Sequence, residues 1–105
     1  MALPTYAAET FKRIYATDVK RLFVGRTFGD EAHWSYRFEA DGLVNAMDLG
    51  NSRRGNWHFS RGELCLDFIE RSKPVSDCYE VWLRGNRIRL QRDGVLILEG
   101  MLLDE

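Results

Sequence analysis

Hydrophobic and polar residues alternate along most of this chain. Trp34, Tyr36 and Phe38 fall on one side of a run whose other side is His33, Ser35, Arg37 and Glu39. Gly55, Trp57 and Phe59 oppose Asn56, His58 and Ser60 in the same way, and Leu64, Leu66 and Phe68 oppose Cys65, Asp67 and Ile69. Tyr79, Val81 and Leu83 then alternate with Cys78, Glu80 and Trp82, and Ile88 and Leu90 alternate with arginines. A period of two over such runs predicts half-buried strands. Leu43–Leu49 forms another, with Asn45, Met47 and Leu49 sharing a face, and Arg26–Phe28 and Val95–Leu103 begin and close the series. The breaks between runs are turn and loop residues: Asp41-Gly42, the polar loop Gly50–Gly55, Arg61-Gly62, the turn segment Arg71–Pro74, Gly85-Asn86 and Asp93-Gly94. Glycine supplies the positive φ that tight hairpins need. About eight strands at eight-to-twelve-residue spacing, with no helical run between them, predict a mainly β protein, an antiparallel up-and-down meander over 26–103. Such a sheet deals with its edges by closing, fully or partly, into a barrel.

Ahead of the meander the pattern changes. Tyr6, Ala7, Phe11, Ile14 and Tyr15 repeat near helical spacing, so Thr5–Ala16 reads as a helix. Thr17 is a candidate N-cap for a further turn or two, Asp18 suits the first turn, and Val19, Leu22 and Phe23 fall at i, i+3 and i+4. Gly25 can end that helix in the left-handed conformation. A helical segment over 5–24 that plugs or flanks the sheet follows, within a single domain of 1–105.

The two cysteines fit the strand reading. If Cys65 faces Cys78, the register also sets Leu64 against Tyr79, and both cysteines fall on the face away from the apolar set. Side-chain parity and pairing therefore agree on a Cys65–Cys78 disulfide, against the alternative of two buried free thiols. The same register would put like charges, Glu63 and Glu80, opposite each other.

Composition narrows the function by exclusion. The formal net charge is −1 with both signs interspersed, which gives no basic footprint for nucleic acid or anionic lipid. No apolar run is long enough for a membrane helix. No motif for a cofactor, a nucleotide or a metal is present, and His33 and His58 lack ligand spacing to either cysteine. No catalytic set stands out, so an enzyme is not expected. Met1–Ala8 has neither the basic start nor the apolar core of a signal peptide.

The aromatic face is the candidate site. Trp34, Tyr36, Phe38, Trp57, Phe59, Phe68 and Tyr79 would line one interior. Trp34, Tyr36, Trp57 and Tyr79, with Asn45 as a polar group, would then contact a small apolar or aromatic ligand. The competing reading is that these rings, with Phe11 and Phe23, fill the interior completely. On the opposite face Trp82, beside Ile69 and the cysteines, is a candidate protein-contact residue. Asp67, Glu70, Asp77 and Glu80, balanced by Arg71 and Lys73, read as one solvated face.

The ordered series of short motifs is similar to a family of small exported bacterial domains of unknown function with a lipocalin-like or streptavidin-like, calycin-type β-fold. The residues that carry the resemblance are Phe23, Gly25 and Thr27; Asp41 and Gly42; Gly55 and Trp57; Leu64, Cys65 and Leu66; Cys78, Tyr79, Val81 and Trp82; and Glu99 and Gly100. The resemblance implies a barrel, a disulfide and a periplasmic or secreted setting. It implies no activity.

Overall fold

The computed structural model describes residues 10–103 as a closed antiparallel barrel of eight strands with one extra strand and one short helix. The strands of the barrel are β2 (Thr27–Gly29), β3 (Trp34–Phe38), β4 (Leu43–Asp48), β5 (Asn51–Ser60), β6 (Glu63–Glu70), β7 (Lys73–Arg84), β8 (Arg87–Arg92) and β9 (Val95–Leu103). Each pairs with the next in sequence, and β9 returns to β2 through Thr27↔Leu103, Phe28↔Leu102 and Gly29↔Met101. The expected up-and-down meander is therefore present and closed.

Two-residue turns set its register. Leu49-Gly50, Arg61-Gly62, Arg71-Ser72 and Asp93-Gly94 all carry positive φ at both positions, the requirement of type I′ hairpins. Each leaves its flanking residues directly paired, as in Asp48↔Asn51 and Ser60↔Glu63. The twist of such turns matches that of the strands they join, so short chain segments can specify a long barrel.

The extra strand corrects the expected first helix. Lys12–Ile14, placed in a helix by its apolar spacing, is strand β1, with Ile14 opposite Val81 and Arg13 opposite Trp82. Strand β7 explains this. Its first part, through Tyr79, pairs with β6; one edge of its last part is then vacant, and β1 takes it while β8 holds the other edge. Backbone hydrogen bonds to a waiting edge outweigh a weak local helix preference over three residues. The expected helical residues 5–9 lie outside the described residues. The same arrangement eases the Glu63–Glu80 clash, because the β6–β7 ladder ends at Leu64↔Tyr79 and Glu80 forms an ion pair of 3.8 Å with Arg13.

Helix α1 spans Ala16–Phe23, with Asp18 in its first turn as expected; its N-cap is Tyr15, which makes no side-chain cap, and not Thr17. Gly25 follows with φ of 75°, and its N–H donates to the Phe38 carbonyl at 2.8 Å. That bond ties the helix end to the barrel. Val19 and Phe23 are fully buried, and the Phe23 ring meets Phe38 at 4.9 Å and Phe28 at 6.1 Å between centroids. Helix α1 thus closes the end of the barrel where β3 finishes. The core beneath it holds Phe28, Phe38, Val44, Trp57, Leu64, Val81, Ile88 and Leu102. Burying each large apolar side chain contributes about 1.5–3 kcal/mol.

Cys65 and Cys78 form the expected disulfide across β6 and β7, as a directly opposed pair whose Cα atoms lie 4.0 Å apart. Cys65 is fully buried. Leu64 faces Tyr79, also as expected.

Candidate functional site

The alternation that fills the closed end of the barrel continues to its open end, and there it changes chemistry. On β5 the inward positions after Trp57 are Gly55 and Arg53; on β6 they run Leu64, Leu66, Phe68, Glu70; on β7 they run Tyr79, Asp77, Val75. On β8 Arg92 shares the side of Leu90, and on β4 Asp48 shares the side of Ala46, which faces Tyr36. Charged residues therefore sit at inward positions around the mouth, above a floor of rings.

Those charges pair across neighbouring strands. Arg53 Nη1 lies 2.9 Å from Glu70 Oε2, and its guanidinium stacks 4.3 Å from the centroid of the Phe68 ring. Arg92 Nη1 lies 3.2 Å from Asp77 Oδ1, and its guanidinium sits 5.2 Å from the Tyr79 centroid. A guanidinium over a ring face gains from the ring's quadrupole while its edge stays free to bind a carboxylate. Space at Gly55 makes the first stack possible: a Cβ there would lie 2.6 Å from the Phe68 ring and 2.3 Å from the Asp67 carbonyl.

Tyr36 lies beside Arg53, and Tyr79 is itself the ring beneath Arg92. Burial pushes the Tyr36 hydroxyl above its ordinary range, against the lowering effect of the nearby Arg53 charge. Burial likewise raises Tyr79, and the Asp77 carboxylate adds to the rise. Both hydroxyls therefore stay neutral at the boundary between ringed core and polar rim.

The four aromatic residues expected to line a ligand site divide into two layers. Trp57 belongs to the sealed end: it is buried, its ring meets Phe38 at 5.3 Å, and its Nε1 donates to the Glu39 carbonyl at 2.8 Å. Trp34, Tyr36 and Tyr79 are half-buried and lie toward the mouth. Trp34 meets Phe28 at 5.1 Å and Tyr36 at 5.8 Å, both edge-on. It also lies over Gly100, where an added Cβ would come 2.7 Å from the ring. Asn45 does not join them. On β4 the small residues Val44 and Ala46 face inward, because the rings of Phe38 and Tyr36 opposite them already take the room. Asn45, Met47 and Leu49 are on the outside.

On the outer wall Trp82 is half-covered by the chain's own first strand. Arg13 of β1 is its register partner on one side and Arg89 on the other, and its Nε1 donates to Glu80 Oε1 at 3.1 Å. Phe11 stacks on Arg89 at 4.0 Å and on Arg84 at 4.9 Å beside it. Ile69 is exposed, but it pairs with Pro74 at the mouth end of β6, well away from Trp82. The expected Trp82–Ile69 patch is therefore two separate places. The expected single acidic face also divides: Glu70 and Asp77 are inward at the mouth, while Asp67 pairs with His58 at 3.1 Å and Glu80 with Arg13, both outside. The second histidine, His33, pairs with Asp30 at 3.0 Å.

Sequence reasoning missed Arg53, Glu70, Asp77 and Arg92 as mouth residues. The signal was present, since each has the parity of an inward aromatic or apolar neighbour on its own strand; their charge argued for the outside. Among the described residues no group of three or more His, Cys, Asp or Glu side chains is placed to hold a metal ion. No helix among them is long and apolar enough to cross a membrane.

Fold and site together define a small up-and-down β-barrel, closed by a helix at one end and rimmed by stacked ion pairs at the other. No known protein family matches the chain, and neither a curated protein nor a solved structure matches it.

Proposed function

We propose that this domain is a non-enzymatic, calycin-like binding module that takes a small aromatic or apolar molecule at the barrel mouth. The observation that carries the reading is the pair of arginine stacks over Phe68 and Tyr79, beside the neutral hydroxyls of Tyr36 and Tyr79. A flat apolar ligand can replace either guanidinium on its ring face and keep the buried hydroxyl as a donor. The displaced arginine retains its carboxylate partner, so no charge is stranded. Trp34 would flank such a ligand, whereas Trp57 supports the floor from the sealed layer. An exported setting, periplasmic or secreted, accompanies the reading, because disulfides persist in oxidising compartments.

The test is thermal stabilisation of the purified chain across a panel of aromatic and aliphatic molecules, repeated in Tyr79→Ala. A ligand present at a hundredfold its Kd stabilises by about 2.7 kcal/mol, a readily measured rise in Tm. No stabilisation anywhere in the panel, or the same stabilisation in Tyr79→Ala, sinks the reading.

The alternative is a protein-interaction or inhibitor module. The half-covered Trp82 supports it less than β9 does, where Val95, Leu96 and Ile97 are 58 %, 49 % and 43 % exposed in succession. A partner that binds Leu96→Lys and Trp82→Ala as well as the unaltered chain would remove both surfaces from consideration.

A further inference from the structure

Arg54 is exposed and, among the described residues, held by no carboxylate. Arg13, Arg53, Arg89 and Arg92 on the same barrel each meet one within ion-pair distance. The Nε of Arg54 instead donates to Asn45 Oδ1 at 3.3 Å, and no acidic group lies within 4.0 Å of it among the described residues. Register sets a row across the outer wall, Arg37↔Asn45↔Arg54, so two guanidinium-bearing residues flank one amide. With strands about 4.8 Å apart, the two arginine Cα atoms are roughly 10 Å apart, a span their side chains can close over an oxyanion. Arg37 has Glu39 for company at 3.6 Å. The next row is Ser35↔Met47↔Ser52, and the Ser52 hydroxyl donates to the Met47 thioether at 3.6 Å, a weak acceptor.

These two rows, with Ala46 and Arg53, line a concavity of about 500 Å³. It shares Ser35 and Met47 with a second one of about 470 Å³, which runs on to His33, Leu49 and Leu103. The depression thus has arginines at one end, and at the other Leu49 and Leu103 share the lining with Glu31 and His33. Leu49 at that end is 74 % exposed and has φ of 49°. A bulky apolar residue is out of place in that conformation, where glycine, asparagine and aspartate are favoured, and strain of this kind collects at functional positions.

We propose that the outer wall of β3, β4 and β5, which adjoins the mouth at Arg53, is a second binding site, for an anionic amphiphile. Its phosphate-type oxyanion would sit between Arg37 and Arg54, and its short apolar chain would run over Met47 to Leu49. Arg54 supplies a charge that no carboxylate among the described residues pairs with, Asn45 and the two serines supply neutral donors, and Leu49 covers the chain.

The full chain, isotopically labelled, is titrated with inorganic phosphate and separately with hexyl phosphate, reading the Asn45 side-chain amide and the Arg54 Nε resonance. Both probes shift these resonances saturably, and hexyl phosphate binds at least about tenfold tighter, the gain from burying a few methylenes. Arg54→Gln weakens both probes tenfold or more, while Arg61→Gln, in a distant turn, changes neither. Leu49→Asn, which suits the turn and so keeps the fold, removes only the advantage of hexyl phosphate. The proposal is overturned by an absence of saturable shifts, by unchanged affinity in Arg54→Gln, or by shifts centred on Tyr36 and Tyr79. Equal affinity for the two probes overturns the amphiphile and leaves no role for Leu49.

Discussion

At the scale of single residues, two positions show how a local rule can be broken or exploited. Leu49 occupies the left-handed region at the first position of a type I′ turn, where an L side chain costs roughly 1–2 kcal/mol and asparagine costs less. Its side chain is exposed and recovers little of that by burial. Leu49→Asn is therefore expected to stabilise the fold by about 0.5–1 kcal/mol in denaturant unfolding. A loss of stability would mean that Leu49 is anchored by contacts its exposure does not suggest. Asp30 exploits its rule. Its Oδ1 accepts the backbone N–H groups of Ala32, His33 and Trp34 at 2.9, 2.7 and 3.1 Å, and closes the loop after β2. The Ala32 bond leads in holding the carboxyl far below the carboxylate range, against desolvation and with help from His33 and Trp34. A carboxyl lowered by folding adds stability above its unfolded pKa of about 3.9, and loses it as pH falls below that value. Below about pH 4 the unaltered chain should lose stability more steeply with falling pH than Asp30→Asn, whose amide oxygen accepts the same bonds without titrating. Parallel acid limbs in the two proteins would dismiss Asp30 as a contributor.

Among the elements, the β6–β7 pair carries the covalent link. The disulfide joins residues 13 apart in sequence, and closing a loop of about that size stabilises by roughly 3 kcal/mol in the chain-entropy model. Replacing both cysteines with alanine should lower unfolding free energy by about 2–3 kcal/mol, with the barrel still formed at room temperature, as checked by near-ultraviolet circular dichroism. Much of this pair was legible in the chain, because Cys65, Cys78, Leu64 and Tyr79 obey one parity and one register. The strands β3, β4, β6 and β8 were legible for the same reason, with Arg61-Gly62, Gly85-Asn86 and Asp93-Gly94 placing turns. The polar starts of β5 (Asn51–Arg54) and β7 (Lys73–Ser76) read instead as loop and turn, because neither alternates. Strand β1 was not legible. Phe11, Ile14 and Tyr15 fit a helical spacing, and what makes Lys12–Ile14 a strand is an edge of β7 almost seventy residues away. The face of β4 was ambiguous too, since small Val44 and Ala46 compete with larger Met47 and Leu49, and only the rings across from them decide. The candidate site was half legible. Parity places Trp34, Tyr36, Trp57 and Tyr79 in one interior, but depth along the barrel axis depends on stagger between strands, which alternation does not encode. That is why Trp57 fell with the mouth residues and Arg53 and Arg92 did not.

Taken as a whole, the molecule is a closed barrel with one unequal seam. Closure removes edges only where the last strand is covered along its length. Here β2 covers Met101–Leu103, and the chain leaves the sheet at Asp30, so among the described residues no strand lies beside the side of Val95–Gly100 that faces away from β8. A register shift between Leu90 and Gln91 bends β9 over this same stretch, as bulges commonly do near free edges. The seam also bounds the mouth, since Leu98 packs against the core while Val95, Leu96 and Ile97 stand exposed beside Arg92. Opening free energies should follow this geometry. Native-state hydrogen exchange is expected to be slowest in β6 and β7, where the disulfide, the buried Leu64 and Leu66 and two neighbouring strands act together. Amides of Val95–Leu98 that point away from β8 should exchange faster by three orders of magnitude or more, a difference of about 4 kcal/mol in opening free energy. If they are instead as protected as β7, the seam is paired in solution by another strand. Repeating the exchange at lower protein concentration would then tell a second copy of the chain, whose protection falls on dilution, from a closure within the molecule, whose protection does not.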